Sequence, residues 1–164
     1  MSEQADDRDH LIKILKTFET ANFITIAPDG TIHGRPMSMV RVDETGDIVM
    51  VTSFASGKRG EVDQDARGAV MFQSSSQFAS VSGVCRVVRD QGMLDELWSE
   101  AWRVRFPNGK SDRDICFIYV TPLSGEYWDQ SGSKGIKFLF DAAQALINGT
   151  RPKETSEQHA KVEL

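Results

Sequence analysis

From residue 7 to residue 18 the apolar positions Leu11, Ile14, Leu15 and Phe18 recur at helical spacing, which predicts an amphipathic helix with one face to bury. The period then falls to two. Residues 23–28 (FITIAP) and 31–42 (TIHGRPMSMVRV) read as strands joined at Asp29-Gly30, a pair that supplies the positive φ of a tight turn. A second turn over 44–47 leads into the strand 48–53 (IVMVTS). A short helix is expected over 57–65, followed by strands over 67–74 and 77–90, the latter alternating small polar residues with apolar ones. Leu94, Leu97, Trp98, Ala101 and Trp102 share one stripe and predict a helix over 92–106, ended by Pro107, Asn108 and Gly109. Strands over 115–122 and 124–129 meet at Pro122, and 137–148 has the pattern of a last helix. The folded domain is thus expected over 1–148, with 149–164 a polar, disordered tail.

Six or seven strands in consecutive hairpins, broken by short helices, suit a mainly β protein. A closed or partly closed antiparallel barrel with helices at its ends fits better than a parallel βαβ sheet. The length of 164 residues and the 40% hydrophobic content fit a single core. A net charge of −5 argues against a nucleic-acid partner. No apolar run approaches the ~20 residues of a membrane-spanning helix, and the acidic N-terminus has no leader pattern, so the chain reads as cytoplasmic and without a membrane partner. Cys85 and Cys116 stand 31 positions apart in apolar strands with no metal-ligand spacing, and read as buried reduced thiols.

Three stretches carry candidate chemistry. In VTSFASGKRGEV (51–62) a strand ends in hydroxyl residues and a helix begins after Ser56, a good N-cap. The unpaired amides and positive dipole end of that helix, with Lys58 beside them, make a cradle for a phosphate, although the plainer reading is an ordinary capped helix with solvated cations. Arg35 stands in a strand of mostly uncharged residues, where a guanidinium needs a partner, and Pro36 after it suggests an open edge or a bulge. His33 lies on the same strand face as Arg35. The third stretch, SGEYWDQSGSK (124–134), brings Tyr127, Trp128 and Asp129 to a strand end, where aromatic residues serve most often as core or interface. No Ser-His-Asp order, HExxH or GxGxxG is present, and no residue stands out as a catalytic acid or base.

Taken in order, HGRPM, VTSFASGKRGEV, SVSG (80–83), LW (97–98) and GEYWD (125–129) resemble the FMN-binding split-barrel superfamily, and within it the general stress protein branch of the pyridoxamine 5′-phosphate oxidase-like proteins, over about residues 8 to 148. The resemblance implies a homodimer that binds FMN and acts as a flavin-dependent oxidoreductase, or alternatively as a flavin carrier or stress sensor without turnover. It places the FMN phosphate on Arg35, Ser56 and Lys58. It puts Pro36, Met37 and Ser38 beside the ring, Val51, Thr52 and Ser53 against the ring and ribityl chain, and Phe78 and Trp128 at further flavin contacts, Trp128 across the dimer interface. Two departures stand out. Val40 occupies the place of a lysine that holds the substrate phosphate in the oxidases, and Ser133 to Lys137 replaces their closing Arg-Leu-His-Asp-Arg segment. Oxidation of pyridoxamine phosphate is therefore not expected.

Overall fold

The computed structural model describes residues 3–132, 144–145, 147–149 and 158–164. It opens with α1 (Glu3–Leu15), whose Leu11, Ile14 and Leu15 are buried, as the helical spacing requires. Then follow β1 (Thr20–Ile26), β2 (Ile32–Val42), β3 (Ile48–Ser53), α2 (Gly57–Gln64), β4 (Arg67–Gln73), β5 (Gln77–Val88), α3 (Gln91–Leu97), β6 (Ile115–Asp129) and β7 (His159–Glu163). Gly30, at φ 84°, makes the turn between β1 and β2.

The strands run in the order β3-β2-β1-β4-β5-β6-β7, and β3 also pairs with β6, so six antiparallel strands close into a barrel and β7 extends one edge. Alternation sends Phe23, Val70, Val81 and Tyr127 inward, where they meet Leu11, Ile14 and Leu15 of α1. A second cluster lies outside the barrel wall, where Leu94 of α3 and Phe106 cover Val49, Val51, Ile115 and Phe117.

The barrel is incompletely stitched at one seam. β2 pairs with β3 only from Met39 to Val42, with the register shifting between Met39 and Arg41, so Val40 is an extra residue in a bulge. Among the described residues, β2 ahead of it ladders with β1 alone from Ile32 to Ser38, and Val51, Thr52 and Ser53 of β3 ladder with β6 alone. Pro36 therefore does sit on an open edge, where its missing N–H leaves no ladder bond unmade.

Three elements differ from the sequence reading. The helix expected over 92–106 stops at Leu97, Trp98 is extended (φ −55°, ψ 133°), and the chain resumes as a 3-10 turn, Glu100–Val104. Trp98 and Trp102 pack edge-on at 5.6 Å and Trp102 reaches Phe117 at 6.3 Å, so ring packing on the second cluster prevails over helical propensity. The two strands expected to meet at Pro122 are one, β6. Pro122 passes because β5 shifts register at Ser82/Gly83 opposite it, and a Cβ at Gly83 would strike the Thr121 carbonyl. Finally, the polar tail contributes β7, which pairs along Ser124 to Trp128 and buries Val162. The helix expected over 137–148 is helical at 144–145 and 147–148, and its remaining positions, with Ser133 to Lys137, lie outside the described residues. Cys85 and Cys116 are buried free thiols, and among the described residues no helix is long and apolar enough to cross a membrane.

Candidate functional site

Strand alternation decides which side chains gather at the open seam. His33 and Arg35 of β2 and Thr25 of β1 point the same way, toward the end of the barrel that α2 covers, because Thr25 pairs with His33 and Phe23 with Arg35. There they converge on one carboxylate of α2. Glu61 accepts from Arg35 Nη2 at 2.7 Å, stands 2.7 Å from His33 Nδ1 and accepts from the hydroxyl of the fully buried Thr25. Burial pushes the Glu61 carboxyl up, but the bonds from Thr25, Arg35 and His33 and the charge of Arg35 outweigh it and hold the group at about 2. Glu61 thus ties the β2 arginine to the first turns of α2, three residues after Lys58.

The cations are not fully answered by this carboxylate. Among the described residues, neither Arg35 Nη1 nor the hydroxyl oxygen of Ser56, both buried, has a hydrogen-bond partner. Ser56 occupies the N-cap position of α2 yet makes no capping bond with its side chain, so the hydroxyl that the sequence suggests as a cap is left for something else. Lys58 has its pKa lowered, first by burial and then by the charges of Arg35 and Arg105. Two orphaned buried donors and a cation crowded by like charges, at the start of a helix, form a cradle short of an anion. The phosphate of a monoester fits it in charge and in acceptor count.

The other predicted contacts fall into two groups. Pro36 is exposed and Ser38 half-buried on the open edge of β2, whereas the Met37 side chain is in the barrel core, so only its backbone faces the seam. Across the seam, Val51 sends its side chain into the second cluster, Thr52 is buried, and Ser53 donates its hydroxyl to Asp114. Phe78 and Trp128 are cross-strand partners on β5 and β6, lining with Asn22 and Met71 a cleft of about 280 Å³ on the outer face of the sheet. The Trp128 ring stacks on His159 of β7 at 4.8 Å. Arg35 pairs with Phe23 and shares its inward face, whereas Phe78 and Trp128 open on the opposite, outer face of the sheet. One chain therefore brings Arg35, Ser56 and Lys58 together and leaves Phe78 and Trp128 apart from them.

Two residues of the site escape sequence reasoning. Glu61 is visible only as part of a spacing pattern, and its partners on β1 and β2 lie 26 to 36 positions away, where no local signal connects them. Asp114, which receives Ser53, is 61 positions distant.

Glu61 gives the site an acid limit. Its folded pKa of about 2 lies below the ordinary 4.5, so its stabilising contribution is complete above about 4.5 and disappears as pH falls toward 2. Urea denaturation midpoints of the wild type should fall over that window, and Glu61→Gln, less stable at neutral pH, should show a shallower slope there. Parallel slopes would show that Glu61 carries no such linkage.

A six-stranded antiparallel barrel with one open seam and a helix-capped anion cradle at its end is the architecture of the split barrels. The chain belongs to the family described as pyridoxamine 5′-phosphate oxidase like, whose model matches residues 6–153. Among solved structures it is similar to a Jannaschia sp. CCS1 protein named after general stress protein 26, at 24% identity and a TM-score of 0.77 over 98% of this chain and 99% of the other. It is also similar to the general stress FMN/FAD binding protein of Xanthomonas citri, at 24% identity and a TM-score of 0.61 over 79% and 89% of the two chains. A third is a pyridoxamine 5′-phosphate oxidase-related, FMN binding protein of Nostoc punctiforme PCC 73102, at 12% identity and a TM-score of 0.59 over 98% and 94%. Among curated proteins, none matches this sequence.

Proposed function

We propose that this chain is a cytoplasmic FMN-binding protein that works as a homodimer and as a flavin-dependent oxidoreductase. The observation that carries this reading is the pair of orphaned buried donors, Arg35 Nη1 and Ser56 Oγ, beside the crowded ammonium of Lys58. The proteins described as binding FMN that share the fold support it. When bound, FMN supplies the redox chemistry, one or two electrons at a time, that these side chains lack. The chain's own part is to hold and shield. Arg35 and Lys58 neutralise the phosphate, Ser56 donates to it, and Glu61 keeps the Arg35 fork aimed at it. The open edges at Pro36 to Ser38 and Val51 to Ser53 offer backbone groups to the ring and ribityl chain.

What supports the dimer is the separation of the two groups of contacts. Met71 and Phe78 are exposed apolar residues on the outer sheet face, next to Trp128. A second copy packed on that face would cover them and bring its own Trp128 to the cradle of the first. Light scattering should give about twice 18.3 kDa. A monomer that binds FMN tightly would remove Trp128 from the site.

A non-catalytic carrier or stress sensor is the second reading, favoured by the seam itself: the side chains along it are Pro36, Ser38, Thr52 and Ser53, with no free acid or base among them. Turnover separates the two. The FMN-loaded protein should be reduced by NADH, NADPH or a reduced deazaflavin and pass electrons to an acceptor repeatedly. Binding without turnover under any of these donors would leave the carrier.

A further inference from the structure

The cradle is anchored from two sides, and only one of them is the Glu61 tie. On the other side, the segment leading into β6 grips the loop between β3 and α2. Asp114 accepts the Ser53 hydroxyl on one carboxylate oxygen and the Ala55 amide on the other at 2.9 Å, while its carbonyl accepts the Phe54 amide at 2.6 Å. Those three consecutive residues are the ones that deliver Ser56 and the start of α2. The Phe54 ring is held as well, with the Arg59 guanidinium 3.9 Å and the Arg89 guanidinium 3.4 Å from its centre. Arg89 in turn donates to the Arg113 carbonyl at 2.6 Å, which closes the grip on the same segment. Asp114 is itself set by its amide, which donates to Asp112 Oδ1 at 3.0 Å.

Two bonds from a loop's hydroxyl and amide to one carboxylate fix the loop's path more firmly than its own turn, which has the single bond from the Ser56 amide to the Ser53 carbonyl. The Ser53 hydroxyl, then the Ala55 amide, hold the Asp114 carboxyl below its ordinary range, so it is ionised and a strong acceptor wherever the protein is folded near neutral pH. Without this anchor, the Ser56 hydroxyl and the first α2 amides would lose their fixed distance from Arg35, which Glu61 keeps in place separately.

We infer that Asp114 is a positioning residue for the phosphate end of the cofactor: it touches no part of the ligand, yet it sets the preference for FMN over riboflavin by fixing the loop that presents Ser56 and Lys58. The inference rests on the FMN reading above and adds a residue outside the motifs that carry that reading.

The test is fluorescence titration of the full chain with FMN and with riboflavin. Asp114→Ala should weaken FMN about tenfold or more and leave riboflavin within about twofold, since only the phosphate meets the loop. Asp114→Asn keeps an acceptor for the Ala55 amide, and the Ser53 hydroxyl rotates to accept from its amide group, so FMN affinity should return to within about threefold of wild type. In a Ser56→Ala, Lys58→Ala background, adding Asp114→Ala should change FMN affinity by about threefold or less, well short of the tenfold in the wild-type background, because of the contacts it positions only the first α2 amides remain. An Asp114→Ala variant that binds FMN as tightly as wild type overturns the inference. So does an equal loss for FMN and riboflavin, which marks general damage to the fold. A wild type that binds riboflavin as tightly as FMN overturns the phosphate reading, and the role of Asp114 with it.

Discussion

Removing both cations of the cradle, in an Arg35→Ala, Lys58→Ala variant, is expected to weaken FMN by about a hundred- to ten-thousand-fold. Each charge-assisted bond contributes about 1.5 to 3 kcal/mol, and every 1.4 kcal/mol is about tenfold in affinity. Riboflavin, which lacks the phosphate, should bind the variant about as well as wild type. The single substitutions should differ in a way the geometry dictates. Lys58→Ala removes an ammonium already crowded by Arg35 and Arg105, so the fold loses little with it. Arg35→Ala leaves the Glu61 carboxylate, among the described residues, with Thr25 and His33 as its bonded partners at the barrel end, and should lower stability as well as affinity. Isothermal titration alongside thermal melts separates the two. FMN affinity unchanged in the double variant would show the cluster to be an ordinary set of surface charges.

The second large effect is an absence of activity. Pyridoxamine phosphate should not be turned over by the FMN-loaded protein, since the residue at the place of the oxidases' lysine is Val40, in the bulge of β2. Its side chain packs against the cluster of Val49, Leu94 and Phe117. A substrate phosphate would meet an apolar surface there, and the loss of even two charge-assisted bonds lowers affinity by roughly two to four orders of magnitude. The same preparation should still be reduced by dithionite and reoxidised by air, because the cradle is untouched. Formation of pyridoxal phosphate at millimolar substrate, followed by absorbance, checks this. Steady turnover near 1 s⁻¹, a rate ordinary for enzymes, would show that other cations rebuild the substrate clamp.

The parts of the molecule that the sequence shows are those encoded by neighbours. The α1 stripe, the Asp29-Gly30 hairpin and the start of α2 after Ser56 are all patterns within a dozen residues, and the structure has each of them. Arg35 and Lys58 were visible for a related reason: a cation among uncharged strand residues, or at a helix start, needs an answer whatever the fold. What could not be read depends on contacts made at a distance. The break after Leu97 comes from two tryptophan rings settling on Phe117. β7 contains one buried apolar residue, Val162, and is a strand because β6 offers it an edge. Pro122 stays within β6 only because Gly83 is opposite. Glu61 and Asp114 show the same limit in the site: each is an unremarkable acid until the barrel brings it to a partner dozens of positions away.

The bulge at Val40 makes β2 a strand with two reading frames. Ahead of it, period-two alternation aims His33, Arg35 and Met37 inward; behind it, pairing with β3 closes the barrel. Elsewhere in β2, the loss or gain of one residue would turn half of those side chains to the wrong face. At the bulge it would not: without Val40, Met39 and Arg41 would follow one another opposite Met50 and Val49 as a regular ladder, both faces preserved. β2 thus has one slot where its length and its chemistry are free to change at the expense only of contacts with the second cluster. That slot lies beside the open seam between β2 and β3. A change there would alter the surface that meets the seam and leave Arg35, Ser56 and Lys58 where they are, so a single irregular residue uncouples the two ends of the strand.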